Sequence, residues 1–453
     1  MPSPLTQEAG AFILDITRLK RYEFNRINKN TQKEKIMNLN LQNKKLLGIN
    51  GLGRIGKLLL WNQIHLRNFE GIIVNCGREV GKTLDDLIQV IETDSTYGNL
   101  HKFLFGCVGR KAEIKILDPA QQLLEIEGIP VKILRTARDP KDINWQAEGV
   151  RIVADCTGNF VDPNLMPDGG KPCLRGHLAA GAVKVITSAP FKSKSGPIDQ
   201  NPDAITMIYG INHNEYDPQK HNVISAASCT TTGLAHMIKP LLENEATSKI
   251  MTASMTTIHA ATNTQSILDS VPKTGASDLR KSRSLMNNII LSTTGAAKAL
   301  MQVISEIKSV GFMADSVRIP TNTVSLIILN ATFQTGLDDK NEAIVNRALL
   351  NKVFKDASET TQKDLLIYTE RQNVSVDMIG SQAAVTIEAH ETDTKTGFIP
   401  VPREALEAAG IKNGLDVKVP VTHAKIFGWY DNELGSYVNC LSRLISHVDK
   451  NTP

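Results

Sequence analysis

The sequence predicts an α/β protein in two parts: a parallel sheet covered by helices, then an α+β domain on a mixed or antiparallel sheet. Three observations carry that expectation. From Leu46 onward, short apolar runs alternate with amphipathic stretches of helical period, as in strands buried on both faces by crossover helices. A glycine-rich turn, GINGLGRIG (Gly48 to Gly56), sits directly between the first such strand and the first such helix. After Cys229 the apolar segments lengthen and become rich in β-branched residues, which suits a mixed or antiparallel sheet.

In chain order, residues 1 to about 44 stand apart, with QEAGAFILDITRLKRYEFNRI reading as a short amphipathic helix and NKNTQKEKIMNLNLQNKK as a basic linker. Glu8, Asp15, Glu23 and Glu34 count against an acid-poor transit peptide. KLLGIN is then a strand, RIGKLLLWNQIHL a helix with an apolar stripe, GIIVNC a strand and TLDDLIQVIE a helix. VRIVADCTG and AVKVITSAP are further strands ending in small polar residues. TTTGLAHMIKPLL is the helix after Cys229, and KIMTASMTTIH and TVSLIILNATFQ are long strands. KNEAIVNRALLNKVFKDASE is an amphipathic helix, PREALEAAGIKNG a short helix stopped by glycine, and ELGSYVNCLSRLISHV the closing helix. The expected division is an extension over 1–45, a dinucleotide-binding domain over 46–228, and a catalytic domain over 229–432. The segment 433–453 is expected to return to complete the first domain.

With 453 residues, the chain exceeds one ordinary core. Its 41% hydrophobic and 22% charged residues are those of a globular protein, and a net charge of +4 gives no argument for nucleic acid or membrane partners. Six cysteines without close pairs or ligand spacing predict no disulfide framework and no metal site, which fits a reducing cytoplasm. No apolar stretch is long enough to span a bilayer and no secretory signal pattern opens the chain, so a cytoplasmic protein is expected.

Gly51, Gly53 and Gly56 form G-x-G-x-x-G in the strand–turn–helix context that gives this motif mechanical meaning. Gly51 permits the tight turn, Gly53 lets a pyrophosphate approach the backbone, and Gly56 lets helix and strand pack closely, as in a Rossmann-type fold. The helix start then offers free N–H groups to phosphate. At the end of the second strand two readings stand open: Glu79 takes the ribose hydroxyls of NAD, or Arg78 pairs with the extra phosphate of NADP. Solvent exposure of both side chains is the plainer alternative.

SAASCTTTGLAHM places Cys229 at a helix start, where the dipole should lower its pKa. Ser228 or Thr230 can cap that helix. A lone cysteine is more often a packing residue, so a base is needed, and His259 at the end of KIMTASMTTIH is the candidate. Beyond it lie Thr262, Thr264, Arg283, Thr293, Thr294, Gly295 and Arg318, residue types that suit phosphate oxygens.

GINGLGRIG, DSTYG, RDP, DCTGNF, SAP, ASCTT, IHAAT, STTGAAKA, VRIPT, YTE and WYDNE occur in this order from about Leu46 to the C-terminus. In these the chain resembles the phosphorylating glyceraldehyde-3-phosphate dehydrogenase family. ASCTT and WYDNE are the specific pair; the glycine motif alone is not. The resemblance implies Cys229 as nucleophile and His259 as its partner. It implies cofactor contacts from Asn50, Gly51, Arg54 and Ile55, from Arg138 near the adenine, from Thr157, Gly158 and Ser188, and from Asn432 at the nicotinamide carboxamide. It implies Thr262, Thr264 and Arg318 for the substrate's phosphate. Ser228, Thr230, Thr294 and Gly295, with Arg283 close by, are implied for attacking inorganic phosphate.

The implied activity is oxidation of glyceraldehyde 3-phosphate to 1,3-bisphosphoglycerate through a cysteine thioester, with hydride passing to NAD or NADP, by a homotetramer. The rivals are an erythrose-4-phosphate dehydrogenase, releasing its acid to water, and a non-catalytic nucleic-acid or regulatory protein on the same scaffold. The chain departs from the family pattern at Thr232 and Gly233 after CTT, at Ser436–Tyr437 after WYDNE, and at the second-strand end. The segment Glu391 to Pro420 is also extra.

Overall fold

The computed structural model describes residues 41, 44–135, 137–194, 196–198, 201–411 and 416–453. The helix expected near the N-terminus lies outside the described residues.

The strand Leu46–Asn50 and its neighbour Gly71–Asn75 are buried at every position, which explains their unbroken apolar character. They belong to a nine-stranded sheet. Its order runs Ala204–Thr206, Val223–Ser225, Lys184–Thr187, Ile152–Asp155, Leu46–Asn50, Gly71–Asn75, Ile129–Leu134, Leu123–Ile126 and Ile114–Asp118. All pairings from the first of these to Ile129–Leu134 are parallel. The last two strands add an antiparallel edge that the pattern reading did not resolve. Leu123–Ile126 and Ile129–Leu134 are joined by only two residues, so they form a hairpin rather than a crossover unit. The chain leaves Leu46–Asn50 toward one side and returns on the other through Ile152–Asp155, so a crevice opens at the carboxyl ends of these central strands.

The turn after Leu46–Asn50 needs two of its glycines for separate reasons. Gly51 has φ +97°, a left-handed value that penalises any Cβ. A Cβ on Gly56 would stand 1.8 Å from the Gly51 carbonyl oxygen, because the helix Arg54–Leu66 crosses the turn at contact distance. Gly56→Ala is therefore expected to lower unfolding free energy by about 3 kcal/mol, the upper end of ordinary overpacking. Denaturant titration checks this, and an unchanged midpoint would contradict the packing described.

The second sheet has eight strands, with order Ile290–Thr293, Gly311–Arg318, Ile250–His259, Ser325–Gln334, Lys418–Tyr430, Val385–Glu388 and Leu366–Thr369, and with Asp393–Pro400 also paired to Lys418–Tyr430. It mixes parallel and antiparallel pairs. Ser325–Gln334 alternates buried and half-exposed positions, and Ile327, Leu329, Ala331 and Phe333 pack with Leu234, Met237, Ile238 and Leu241 of the helix Cys229–Glu243. The extra segment thus contributes an outer strand and the short helix Arg403–Ala408; residues 412–415 lie outside the description.

Two helices differ from their sequence reading. KNEAIV is not helical: the helix is Arg347–Glu359, because Asn346 caps it by accepting from the Leu349 N–H. The closing helix begins as a π-helical turn, Leu434–Asn439, before the α-helix Cys440–Asn451. In that turn Ser436 N–H reaches the Asp431 carbonyl and Val438 N–H reaches Glu433, both five residues back. Leu441, Leu444, Ile445 and Val448 then pack in one core with Leu58, Leu60 and Trp61.

Candidate active site

Helix Cys229–Glu243 starts on Ser228, whose Oγ accepts from the Thr231 N–H at 3.2 Å. Between Ser228 and Thr230 as possible caps, the structure selects Ser228. Cys229 thus stands at the first turn, on the wall of a cleft of ≈ 1310 Å³. That wall also carries the glycine turn, through Gly53, Arg54 and Ile55, and the strand ends of the second sheet, through His259 and Arg318.

Strand register brings the base to the thiol. Ile250–His259 and Gly311–Arg318 pair in parallel with His259 opposite Arg318, so both end at the same edge. His259 Nε2 lies 3.6 Å from Cys229 Sγ. On the other side of the ring, Arg318 Nη1 is 2.5 Å and the Ala260 carbonyl 2.8 Å from Nδ1. A guanidinium only donates, so in this arrangement Nδ1 is the acceptor and Nε2 carries the proton toward sulfur. Burial, reinforced by the Arg318 charge, holds the imidazolium pKa down to about 3, so His259 is neutral at physiological pH.

The thiol corrects one expectation. Burial pushes Cys229 above its ordinary value, while Arg318 and the Thr230 backbone N–H pull it back without prevailing. The helix start therefore moderates the rise and does not by itself yield a low pKa. Thr230, expected at the attacking phosphate, has a buried side chain whose hydroxyl lies 2.9 Å from Tyr430 OH, which also meets Thr257 at 2.7 Å.

Of the phosphate candidates, Ser228, Thr262, Thr264 and Arg318 line the cleft. Arg283, Thr294 and Gly295 do not: Arg283 is exposed and paired with Asp269 at 3.0 Å, Thr294 accepts from the Ala296 N–H, and Gly295 precedes helix Ala296–Val303.

On the cofactor side, Gly53, Arg54, Ile55, Thr157, Gly158, Ser188 and Asn432 share the wall. A Cβ on Gly53 would meet nothing within 4 Å, and the helix behind it starts without a side-chain cap, leaving an open backbone face for a pyrophosphate. Asn50 is buried behind the loop. Its Nδ2 donates to Asp155 at 2.7 Å, and Asp155 also accepts from Thr157 Oγ1 at 2.7 Å. Trp145 Nε1 donates to His177 Nδ1 at 2.8 Å, which turns the proton on His177 Nε2 toward Asp155 at 3.1 Å. This buried network ties the loop after the first strand to the loop after Ile152–Asp155, and the sequence reading did not find it. Arg78, Glu79 and Arg138 lie away from this wall, around the turn that ends the second strand.

The C-terminal turn explains the Ser436–Tyr437 departure. The π turn carries Tyr437 onto the cleft wall, its OH donating to the Ala227 carbonyl at 3.0 Å. Ser436 Oγ donates to the Cys229 carbonyl at 2.8 Å. Asn432 Oδ1 accepts from Ser325 Oγ at 3.1 Å, which leaves its amide donors for the cleft. Arg54 is clamped between Asp94 and Glu433, and Lys57 adds a 2.8 Å contact to Asp94. Against the cost of burial, Lys57, the Tyr97 and Thr96 backbone N–H groups and Arg54 hold Asp94 down to about 2. Gly233 fits because helix and sheet are close: an added Cβ would stand 3.2 Å from Ile327 Cδ1.

Residues 45–163 match the sequence model of the glyceraldehyde 3-phosphate dehydrogenase NAD binding domain, and residues 228–401 that of the C-terminal domain. Glyceraldehyde-3-phosphate dehydrogenase 2 of Streptomyces avermitilis is 32% identical over 403 residues, covering 89% of this chain and 98% of its own. The Geobacillus stearothermophilus enzyme is 34% identical over 389 residues, covering 86% and 94%. The cytosolic enzyme of Chlamydomonas reinhardtii is 31% identical over 406 residues, covering 89% and 96%.

Proposed function

The chain belongs to the glyceraldehyde-3-phosphate dehydrogenase family, and from that premise we propose that it oxidises glyceraldehyde 3-phosphate to 1,3-bisphosphoglycerate through a Cys229 thioester. The observation that carries the reading is Cys229 Sγ 3.6 Å from His259 Nε2, in one cleft with the glycine turn and Arg318.

The residues present fit NAD(P): Gly53 and the start of Arg54–Leu66 would receive the pyrophosphate, with Thr157, Gly158 and Ser188 beside them, and Asn432 would hold the carboxamide. The bound nicotinamide supplies the hydride acceptor. Arg318, Thr262 and Thr264 take the substrate's phosphate. When Arg318 turns to that phosphate, Nδ1 of His259 is released to donate to the Ala260 carbonyl, and Nε2 becomes an acceptor. The Cys229 thiol then gives its proton to Nε2 as its sulfur adds to the aldehyde carbon, and the developing oxyanion, met by the Cys229 backbone N–H, takes that proton from the ring to become a hydroxyl. His259 takes the hydroxyl proton as the carbon loses hydride, leaving a thioester. Inorganic phosphate, gripped at Ser228 on the helix start, displaces the thiolate as an acyl phosphate. Thr294, Gly295 and Arg283 join this step only if their loop approaches the cleft.

Exposed Leu268, Val271, Ile289 and Leu291 supply apolar surface of the kind a homotetramer would cover. Six free cysteines support a reducing, cytoplasmic setting. Among the described residues no helix is long and apolar enough to cross a membrane.

Product analysis with and without inorganic phosphate tests the reaction. Acyl phosphate formed only with phosphate present is expected; turnover indifferent to phosphate would establish hydrolytic release instead.

A further inference from the structure

The end of the second strand carries a charged cluster that the site above does not use. Asn75, the last strand residue, turns its side chain inward to Asn50 Oδ1 at 2.8 Å and the Ala137 carbonyl at 3.0 Å. It is therefore not available to a ribose. The next residue is Cys76, a thiol where a dinucleotide fold commonly places a carboxylate. Gly77 turns the chain at φ +64°, and Arg138 Nε donates to its carbonyl at 3.1 Å.

On the neighbouring strand, Ile129–Leu134, the first residue past the end is Arg135. Its side chain is 10% exposed, and Nη1 donates to Glu79 Oε2 at 2.6 Å, whereas the Glu79 side chain is 73% exposed. Among the described residues, Arg135 Nε and Nη2 meet no hydrogen-bond partner. Burial pushes the Cys76 thiol up to about 11, against the pull of Arg135 and Arg78, so both guanidinium groups act on this one spot. Arg135 and Arg78 thus lie close to Cys76, with one carboxylate, Glu79, on Arg135, where the fold puts the adenosine ribose.

A buried guanidinium with one nitrogen paired is under-satisfied, and its planar fork suits a dianionic phosphate better than a single carboxylate oxygen. Glu79 is the mobile partner: an exposed carboxylate on one contact is weakly held. We propose that Arg135 is the cofactor-specificity residue, receiving the 2′-phosphate of NADP(H) when Glu79 swings away. With Glu79 on Arg135, its free oxygen takes the ribose hydroxyls of NAD(H). The chain accordingly binds both cofactors and prefers the phosphorylated one, with Arg78 adding charge at the rim. This rests on the dinucleotide reading of the cleft.

The test is calorimetric titration of the full-length protein with NADP+ and NAD+, for wild type, Arg135→Ala, Arg135→Lys and Glu79→Gln. Wild type is expected to bind NADP+ more tightly. Arg135→Ala should weaken NADP+ by about tenfold or more while changing NAD+ less than about threefold, the scale of one lost charge-assisted pair. Arg135→Lys should recover part of that loss. Glu79→Gln, a surface change, should tighten NADP+ and weaken NAD+. Equal weakening of both cofactors by Arg135→Ala, or an unchanged ratio in Glu79→Gln, would overturn the proposal. Wild type binding NAD+ but not NADP+ would overturn it alone; wild type binding neither would remove the dinucleotide reading beneath it.

Discussion

Cys229→Ala is expected to reduce dehydrogenase turnover by about ten-thousandfold or more, the scale for removing a covalent nucleophile whose partners act only with it. The side chain contributes little to the fold, since it lines the cleft at the edge of the second core. Ser228 still caps the helix, and Ser436 still reaches the residue-229 carbonyl, because both bonds use groups the substitution leaves in place. Nucleotide affinity should therefore stay within about threefold, since the pyrophosphate contacts run through Gly53 and the helix start. Stopped-time assay of reduced nicotinamide, with nucleotide titration on the same sample, separates lost chemistry from lost structure. Turnover above about one part in a hundred would show that sulfur does not carry the reaction. Loss of nucleotide binding in parallel would show instead that the helix start had shifted.

How far such a site is readable from sequence depends on whether its parts lie along the chain or across it. Gly51 and Gly56 were legible because their task is local: a turn and a close crossing within one strand–helix unit. Cys229 at a helix start was equally local. The pairing of His259 with Arg318 was not, since it follows from strand register rather than spacing. Arg135 escaped notice for the same reason, standing beside Glu79 only because Ile129–Leu134 pairs with Gly71–Asn75. The Ser436–Tyr437 departure was visible but its outcome was not, because a 3.6-residue period does not foresee the π turn that carries Tyr437 onto the cleft wall. The direction of the thiol pKa failed through magnitude: one helix start acts over a single turn, and burial of the sulfur outweighs it.

His259→Asn is expected to lower kcat by about a hundred- to ten-thousandfold, the usual range for a positioned general base, with a smaller change in substrate KM because Arg318 remains. The pH behaviour gives the sharper test. His259 is held neutral down to about 3 by burial and by Arg318, so it does not titrate between pH 5 and 9. The thiol, raised by burial, is protonated through most of that window and loses its proton as pH rises. Alkylation of wild-type Cys229 by iodoacetamide should therefore accelerate with pH on a single limb. Arg318→Gln removes the cation that holds both groups down, so both pKa values rise. The thiolate then appears at higher pH, and the alkylation limb moves to the alkaline side of wild type. The imidazole begins to protonate at higher pH as well, so the acid limb of turnover moves the same way. A limb that stays in place, or moves toward acid, would show that Arg318 does not act on the Cys229–His259 pair. Substrate KM should rise in the same variant, since one guanidinium serves both the ring and the substrate's phosphate in this mechanism.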